Sequence, residues 1–140
     1  MSTKFFKNSQ QLTHRGVMAM LTAGIEAAEA LGQPQVIVIV DVSGEVLGEI
    51  RMTGSKFLSR KSALSKALTA ASIGAASNTV PDQVRVQIGL ATEGTITGLP
   101  GGFPIRFDGE LVGGIGVGSG TGHQDTEVAQ AALAAVGATG

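Results

Sequence analysis

Two histidines, His14 and His123, are the side chains in this sequence best suited to do chemistry near neutral pH. An imidazole titrates at about pH 6.5, so it can exchange protons or, while neutral, ligate a metal. Cysteine and tyrosine are absent, which excludes thiolate and phenolate ligands. A metal site with two imidazoles in one chain would need both histidines, whereas a solvated histidine near a helix start is the ordinary interpretation of each.

Cationic side chains can hold an anionic substrate or ligand beside these groups. Arg15 directly follows His14 and would attract a carboxylate to that imidazole. Arg51 ends a predicted strand, and its planar guanidinium can bind a carboxylate through two parallel hydrogen bonds. Lys66 lies in a predicted helix that holds four bases and no acid, and it can serve the same purpose. Ordinary surface charge is the alternative for Arg51 and for Lys66.

Glu26 and Glu29 are three residues apart in the first predicted helix and therefore share one of its faces. Two carboxylates at this spacing can bind a hard cation weakly. A solvated helix face whose acids pair with bases is the ordinary alternative. We expect the first helix and the basic helix at 56–75 to face each other with opposite charge.

Residues 101–125 contain nine glycines, a density that favours either a phosphate-binding loop or very close packing. The glycines at every second position from 116 to 122 do not match the Gly-x-Gly-x-x-Gly of dinucleotide-binding loops, and a Walker Gly-Lys-Ser/Thr is missing. Asp125 and Glu127 would repel a dianion at the start of the following helix. A strand face composed of Val112 and glycines instead predicts that another backbone, or a flat ligand, approaches closely.

A long polar loop ends in a Pro-Gly-Gly-Phe segment, formed by Pro100, Gly101, Gly102 and Phe103. Backbone at such a position can bend over a pocket and line it. A plain turn into the next strand is the alternative. We expect these four residues to contribute to a ligand-binding pocket.

Hydrophobic periodicity and turn residues predict an α+β fold. The predicted elements are a helix between Thr13 and Gly32, strands at 36–40 and 46–52, a helix at 56–75, a hairpin at 103–118 that turns at Asp108-Gly109, and a last helix from about His123. Residues 79–99 fit a helix and a strand equally well. The β-branched run at 36–40 has no polar alternation, so helices must cover both sheet faces. We predict a three-layer sandwich around a mostly antiparallel sheet.

The composition indicates one globular domain and excludes several functional classes. Of the 140 residues, 43% are hydrophobic and 15% are charged, with a net charge of −1. This balance is not that of a nucleic-acid-binding protein, and base-stacking side chains are scarce because Trp and Tyr are absent and Phe occurs five times. No apolar run is long enough to span a membrane. We expect an N-terminal extension at 1–11, a single domain at 12–140 and a cytoplasmic location.

Three blocks of the sequence resemble one known family. They read VDVSGEVLGEIRMTGS at 40–55, SRKSALSKALTAASIG at 59–74 and LPGGFPIRFDGELVGGIGVGSGTGHQD at 99–125. The chain resembles the GlcG/HbpS-like family, which includes glycolate-operon proteins, an extracellular haem-binding sensor and the C-terminal domain of some propanediol-utilisation adenosyltransferases. The resemblance covers about residues 12–137. It implies a profilin-like fold, homo-oligomers and binding of haem or another tetrapyrrole, with haem degradation in some members.

The chain departs from the family pattern at both histidines. The family's first helix often opens with Leu-Thr-Leu-Glu, where this chain has Leu12, Thr13, His14 and Arg15. Position 123 is commonly proline or another residue that is not histidine. Both departures place an imidazole near a predicted helix start, which points to chemistry particular to this chain.

Three functions are open on these grounds. The resemblance implies a domain that binds haem in a pocket between subunits, with His14 or His123 on the iron and Arg51 or Lys66 on the propionates. One alternative is a cofactor-independent lyase, hydratase or isomerase for a small organic substrate of a catabolic operon, with His14 as acid–base and Arg15 or Arg51 holding the substrate. Another is a structural partner of an operon enzyme. We expect the basic helix at 56–75, with its small residues, to form the contact between subunits.

Overall fold

A computed structural model describes residues 5–140 of the chain, in which helices alternate with pairs of strands. In chain order the elements are α1 (His14–Leu31), β1 (Val36–Asp41), β2 (Val46–Arg51), α2 (Ser59–Ile73), α3 (Arg85–Ala91), β3 (Gly102–Phe107), β4 (Glu110–Gly118) and α4 (Gly122–Ala135). Two short 3₁₀ turns, Ser77–Thr79 and Asp82–Val84, precede α3. The helices and hairpins expected from the hydrophobic pattern are therefore present.

The four strands form one antiparallel sheet in the order β2-β1-β4-β3. Successive residues of β1 point to opposite sheet faces, and both faces are covered. Ile37 and Ile39 pack with α1 and α4 on one face. Val36, Val38 and Val40 pack against α2 on the other. The predicted α+β three-layer sandwich is confirmed.

The sheet separates α1 from α2, so the expectation that these helices face each other with opposite charge is wrong. Glu26 and Glu29 are exposed on α1. On the other side of the sheet, Arg60 of α2 donates to Glu49 of β2 at 2.9 Å. This hydrogen bond and the charge of Glu49 raise the pKa of the Arg60 guanidinium above its usual value. Opposite charge alone did not reveal that a buried sheet lies between the two helices.

The glycines of β4 allow α2 to lie directly on the sheet. A Cβ atom at Gly116 would overlap the carbonyl oxygen of Ala63, and one at Gly114 would overlap that of Ala67. Both alanines are fully buried in this contact. The prediction of close backbone packing is confirmed. The chain uses these small residues of α2 internally, so they are not free to form a subunit contact, and a contact through the exposed basic face of α2 stays a prediction.

Polar caps and a left-handed glycine set the helix boundaries. Thr13 caps α1 by accepting a hydrogen bond from the Gly16 N–H at 3.2 Å, and Gly32 ends the helix with φ of 67°. Thr121 caps α4 in a reciprocal capping box with Gln124. The start of α1 at Thr13 and its end at Gly32 are those that the sequence predicts.

Residues 79–99, which fit a helix and a strand equally well, contain helical turns followed by a loop. The Arg85 guanidinium donates to the carbonyl oxygens of Val80 at 2.7 Å and Asn78 at 2.9 Å, which ties the 3₁₀ turns to α3. Val86 and Leu90 are largely exposed. The apolar alternation in this segment therefore does not mark a buried strand face.

One end of the sandwich, which we call the Gly118 end, gathers the segments that follow β2, α1 and β4. Arg51 pairs with Val36, and Val36 pairs with Gly118, so β2, β1 and β4 all reach this end. The side-chain amide of Gln33 donates to the Ser119 carbonyl oxygen at 3.1 Å. Hence α1 finishes beside the loop from which α4 starts.

The opposite end, which we call the Gly109 end, holds the β3–β4 turn and the start of α1. The turn places Asp108 and Gly109 at φ of 51° and 81°, as the Asp-Gly pair predicts. The backbone N–H of Gln10 donates to the Glu110 carboxylate at 2.7 Å. This bond fixes the segment before α1 next to the turn.

Candidate functional site

The two histidines lie at opposite ends of the sandwich. His14 is the first residue of α1 at the Gly109 end, and His123 lies in the first turn of α4 at the Gly118 end. Both side chains are exposed. With 18 residues, α1 alone is about 27 Å long, so the two imidazoles of one chain are too far apart to ligate the same ion. A site with two imidazoles would need two chains.

The Gly118 end gathers most of the candidate ligand-binding residues. They are Arg51, Lys66, Pro100, Gly101, Gly102 and His123, with Phe103 one residue further along β3. His14 and Arg15 are exposed at the other end. The structure therefore does not bring together His14 and Arg51 of the enzyme alternative within one chain, whereas His14 and Arg15 remain neighbours.

A cleft of about 270 Å³ opens at the Gly118 end between the starts of α2 and α4. We call it the α2–α4 cleft, and its lining comprises Lys56, Leu58, Ser59, Ser62, Lys66, Leu99, Pro100, Ser119, Gly120, Gly122 and Asp125. The leucines and the proline form an apolar side. The serine hydroxyls and the lysines form a polar side, so the cleft suits a small amphipathic ligand.

The Pro-Gly-Gly-Phe segment contributes to this cleft mainly through Pro100, which lies against Gly122. Gly101 is buried with φ of 112°, a conformation that favours glycine. Gly102 is also buried, and a Cβ there would overlap the carbonyl oxygen of Lys66. Phe103 is half-buried near the C-terminal residues. The two glycines thus let the loop pass close to α2.

Lys66 is the basic residue of α2 that points into the protein, and its side chain is 6% exposed. Its ammonium donates to the Val117 carbonyl oxygen at 2.7 Å and to Asp125 Oδ2 at 2.9 Å. The ion pair joins α2 to α4 around the end of β4. One sequence signal for this burial existed, because Lys66 lies three residues after Ala63 and directly before Ala67, within the buried stripe of the helix.

Asp125 is a site residue whose role the sequence did not reveal. Its side chain is 4% exposed, and its charge is balanced by Lys66. Its Oδ1 accepts a hydrogen bond from the Gly120 N–H at 3.0 Å. With its side-chain nitrogen turned towards Asp125, the Gln35 amide donates to the same oxygen at 2.7 Å. Asp125 is therefore part of an internal network rather than a free carboxylate that repels anions.

Ser119 lines the cleft and has an unusual backbone conformation. Its φ is 89°, although glycine occupies both neighbouring positions, Gly118 and Gly120. Such a conformation costs a residue with a side chain about 1–3 kcal/mol. The Ser119 hydroxyl accepts from the Lys56 N–H at 2.9 Å and lies 2.7 Å from the Ser59 hydroxyl. A serine here ties the start of α2 to the loop before α4.

The exposed cations at this end differ in how they are held. The Arg51 guanidinium carbon lies 6.0 Å from the centre of the Phe57 ring, a cation–π contact, and the described residues offer it no hydrogen bond. Lys56 has no ion-pair partner within residues 5–140. Both side chains are exposed. They are therefore available to an anionic group from outside the chain.

The described residues contain no cluster of three or more His, Cys, Asp or Glu side chains that could hold a metal ion. Glu26 and Glu29 are exposed on α1, without an ion pair in the described part of the chain. Their role as a weak cation site stays a prediction. Among residues 5–140, no helix combines the length and the apolar character that crossing a membrane requires.

Comparison with protein families gives these positions a context. Residues 12–134 match the family model described as "Haem degrading protein HbpS-like". The chain belongs to the HbpS-like family. The resemblance inferred from the three sequence blocks is therefore confirmed.

A curated relative of this HbpS-like chain is the corrinoid adenosyltransferase PduO of Salmonella typhimurium. The two are 32% identical over 130 residues, which cover 89% of this chain and 39% of PduO. The PduO of Citrobacter freundii gives a similar match, which covers 38% of that protein. This chain thus spans about two fifths of the length of these relatives.

Solved structures show the same fold. A crystal structure of a PduOC:haem complex has a TM-score of 0.87 and 29% identity, and the match covers 93% of this chain and 98% of that one. A double mutant of Streptomyces reticuli HbpS has a TM-score of 0.82 and 30% identity, with coverage of 96% and 92%. The α+β sandwich is therefore the shared architecture of the family.

Proposed function

We propose that this chain is a haem-binding domain. The observation that carries the proposal is its likeness, over nearly its whole length, to a domain crystallised with haem. The description of its family points the same way. Because a fold does not fix a function, the proposal also needs residues of this chain that can hold the iron and the propionates.

The proposed iron ligand is an imidazole, either His14 or His123. Proteins hold haem iron through His, Cys or Tyr, or through Met paired with His, and this chain has no Cys or Tyr. Both imidazoles are exposed. Met18, one turn after His14, is 60% exposed and would offer an apolar contact to the macrocycle. Bound haem would supply a redox-active iron, and residues of this chain would ligate and orient it.

Two exposed arginines are the proposed partners of the haem propionates. Arg15 adjoins His14, and Arg51 lies at the same end of the sandwich as His123. Lys66 is the less accessible candidate, because its side chain is 6% exposed and Val117 and Asp125 take two of its three N–H donors.

We include a homo-oligomer and a cytoplasmic location in the proposal. Since both imidazoles are on the surface, burying a flat macrocycle against either one requires a second surface, which another copy of the chain would supply. The cytoplasmic location rests on the absence of cysteine, which gives no sign of an oxidising compartment.

Titration of the purified protein with haemin tests the proposal. We expect a saturable shift of the Soret band. One of the two variants, His14→Ala or His123→Ala, should lose this shift, and the other should retain it. Each variant is thus the control of the other, and circular dichroism checks that both are folded. A titration without a saturable shift overturns haem binding. A shift that survives in the double variant overturns imidazole ligation and leaves haem binding in place.

A further inference from the structure

The α2–α4 cleft contains a buried cation with a donor to spare. An ammonium carries three N–H donors, and Lys66 uses two of them on Val117 and Asp125. Within residues 5–140 no acceptor is found for the third. Because Lys66 lines the cleft and its side chain is 6% exposed, an unused donor there is unfavourable. The cleft therefore presents a fixed donor to an oxygen atom from outside the chain.

The charges around the cleft favour an anion with one negative charge. Lys66 and Asp125 balance each other as a buried pair. Lys56 lines the cleft without an ion-pair partner in the described part of the chain, which leaves one positive charge in excess. A dianion would exceed this charge, whereas a monoanion matches it.

The shape of the cleft limits the size of its occupant. Ligand pockets for drug-sized molecules have volumes of about 300–1,000 Å³, and this cleft has about 270 Å³. Leu58 and Leu99 are exposed along its apolar side. A ligand that fits here has few atoms, with a charged end towards the lysines and a short apolar end towards the leucines.

The cleft is also built as a fixed arrangement. Ser119 keeps its strained conformation while its hydroxyl joins the start of α2 to the loop before α4. Lys66 joins the same two helices from inside. Residues held in strained conformations are concentrated at ligand sites, and here two separate contacts hold the cleft walls.

We propose that the α2–α4 cleft binds a small monocarboxylate with a short apolar tail. The carboxylate accepts hydrogen bonds from Lys66 and pairs with Lys56, and the tail contacts Leu58 and Leu99. The carboxylate can come from a free organic acid or from a haem propionate, since both present the same group. The proposal does not depend on haem binding.

Amide resonances of the labelled protein, titrated with acetate, butyrate and inorganic phosphate, test this proposal. We expect saturable shifts at Ser119, Gly120 and Gly122 with both acids, and tighter binding of butyrate by up to roughly four-fold for each added CH₂. Phosphate should bind more weakly than butyrate. If no acid gives saturable shifts at these amides, or if phosphate binds more tightly, the proposal is overturned, and water is then the partner of Lys66.

Three variants locate the site. Lys56→Gln should weaken butyrate binding about 1.5- to five-fold, the range for an exposed ion pair. Lys61→Gln, which removes the same charge from α2 outside the cleft lining, is the matched control and should leave binding unchanged. Lys66→Met combined with Asp125→Asn removes both charges and keeps a side-chain oxygen that can accept from the Gly120 N–H, so the protein should stay folded, and it should abolish the shifts. Binding that persists in this double variant overturns the proposal.

A competition experiment identifies the source of the carboxylate. If haemin displaces butyrate from the cleft, the natural occupant is a haem propionate. If both bind together, or if haemin does not bind at all, the occupant is a free acid. Either result supports the carboxylate site, and failure of haem binding leaves the butyrate titration as an independent test.

Discussion

The two faces of the sheet are packed by different means. On the face covered by α1 and α4, side chains of ordinary size such as Met20, Ile37 and Ile115 fill the space. On the face covered by α2, glycines of β4 meet alanines of the helix, and backbone lies on backbone. The first face leaves the outer surfaces of α1 and α4 free to carry the two histidines. On the second face, α2 lies directly on the backbone of β4 with no room for a side chain between them. The position of α2, and with it one wall of the α2–α4 cleft, depends on this contact.

The largest expected effect comes from adding a side chain on the α2 face. Gly116→Val would place atoms on the Ala63 carbonyl oxygen, so α2 would have to leave the sheet. We expect a loss of about 5 kcal/mol or failure to fold, as for the most severe overpacking. Urea unfolding measures the loss in the free energy of unfolding. Gly89→Ala is the control, because a Cβ there meets only one atom, at 3.8 Å, and the change should be neutral or slightly stabilising.

The next largest effect is expected from the buried ion pair beside the same face. Lys66→Met leaves Asp125 buried without its cation, which should cost about 4 kcal/mol. The double variant with Asp125→Asn should recover most of this loss, because the unpaired charge is then gone and an amide oxygen still accepts from the Gly120 N–H. If urea unfolding finds the single variant as stable as the double one, the pair has no structural role.

On the α1–α4 face, truncating a core side chain should lower the free energy of unfolding by less, because neighbouring side chains can relax. Met20→Ala removes a fully buried side chain from the core and should lower the free energy of unfolding by about 3 kcal/mol. Met18→Ala, on the exposed side of the same helix, is the matched control and should change it by less than about 0.5 kcal/mol. Equal losses in the two variants would contradict the assignment of the core to this face.

The smallest expected effect concerns the boundary of α4. Thr121→Ala removes the hydroxyl that accepts from the Gln124 N–H at 3.2 Å, and it should cost about 1 kcal/mol. Thr22→Ala, at an exposed position inside α1, gains helix propensity and should cost nothing. A comparison of the two urea midpoints checks the cap, and a Thr121→Ala variant as stable as wild type would show that the capping box contributes little.

The fold was largely predictable because its strongest signals are local. The apolar run at 36–40 required cover on both faces, and the Asp108-Gly109 pair specified a tight turn. The glycines of β4 indicated a close neighbour, which is α2. Residues 79–99 could not be assigned, since contacts of Arg85 with carbonyl oxygens, rather than periodicity, hold that segment.

The candidate site was less predictable because it depends on tertiary contacts. Lys66 and Asp125 are 59 residues apart, and nothing in their spacing shows that they meet. The conformation of Ser119 is set by its bonds to α2 and leaves no mark in the sequence. The sequence did identify both histidines, but only the sheet order and the direction of the helices show that they lie at opposite ends of the sandwich.

A haemin titration that compares the wild-type chain with the His14→Ala/His123→Ala double variant tests the central claim most directly. We expect the wild-type protein to give a saturable Soret shift and the folded double variant to give none. Absence of a shift in the wild-type protein would contradict the assignment of this chain as a haem-binding domain.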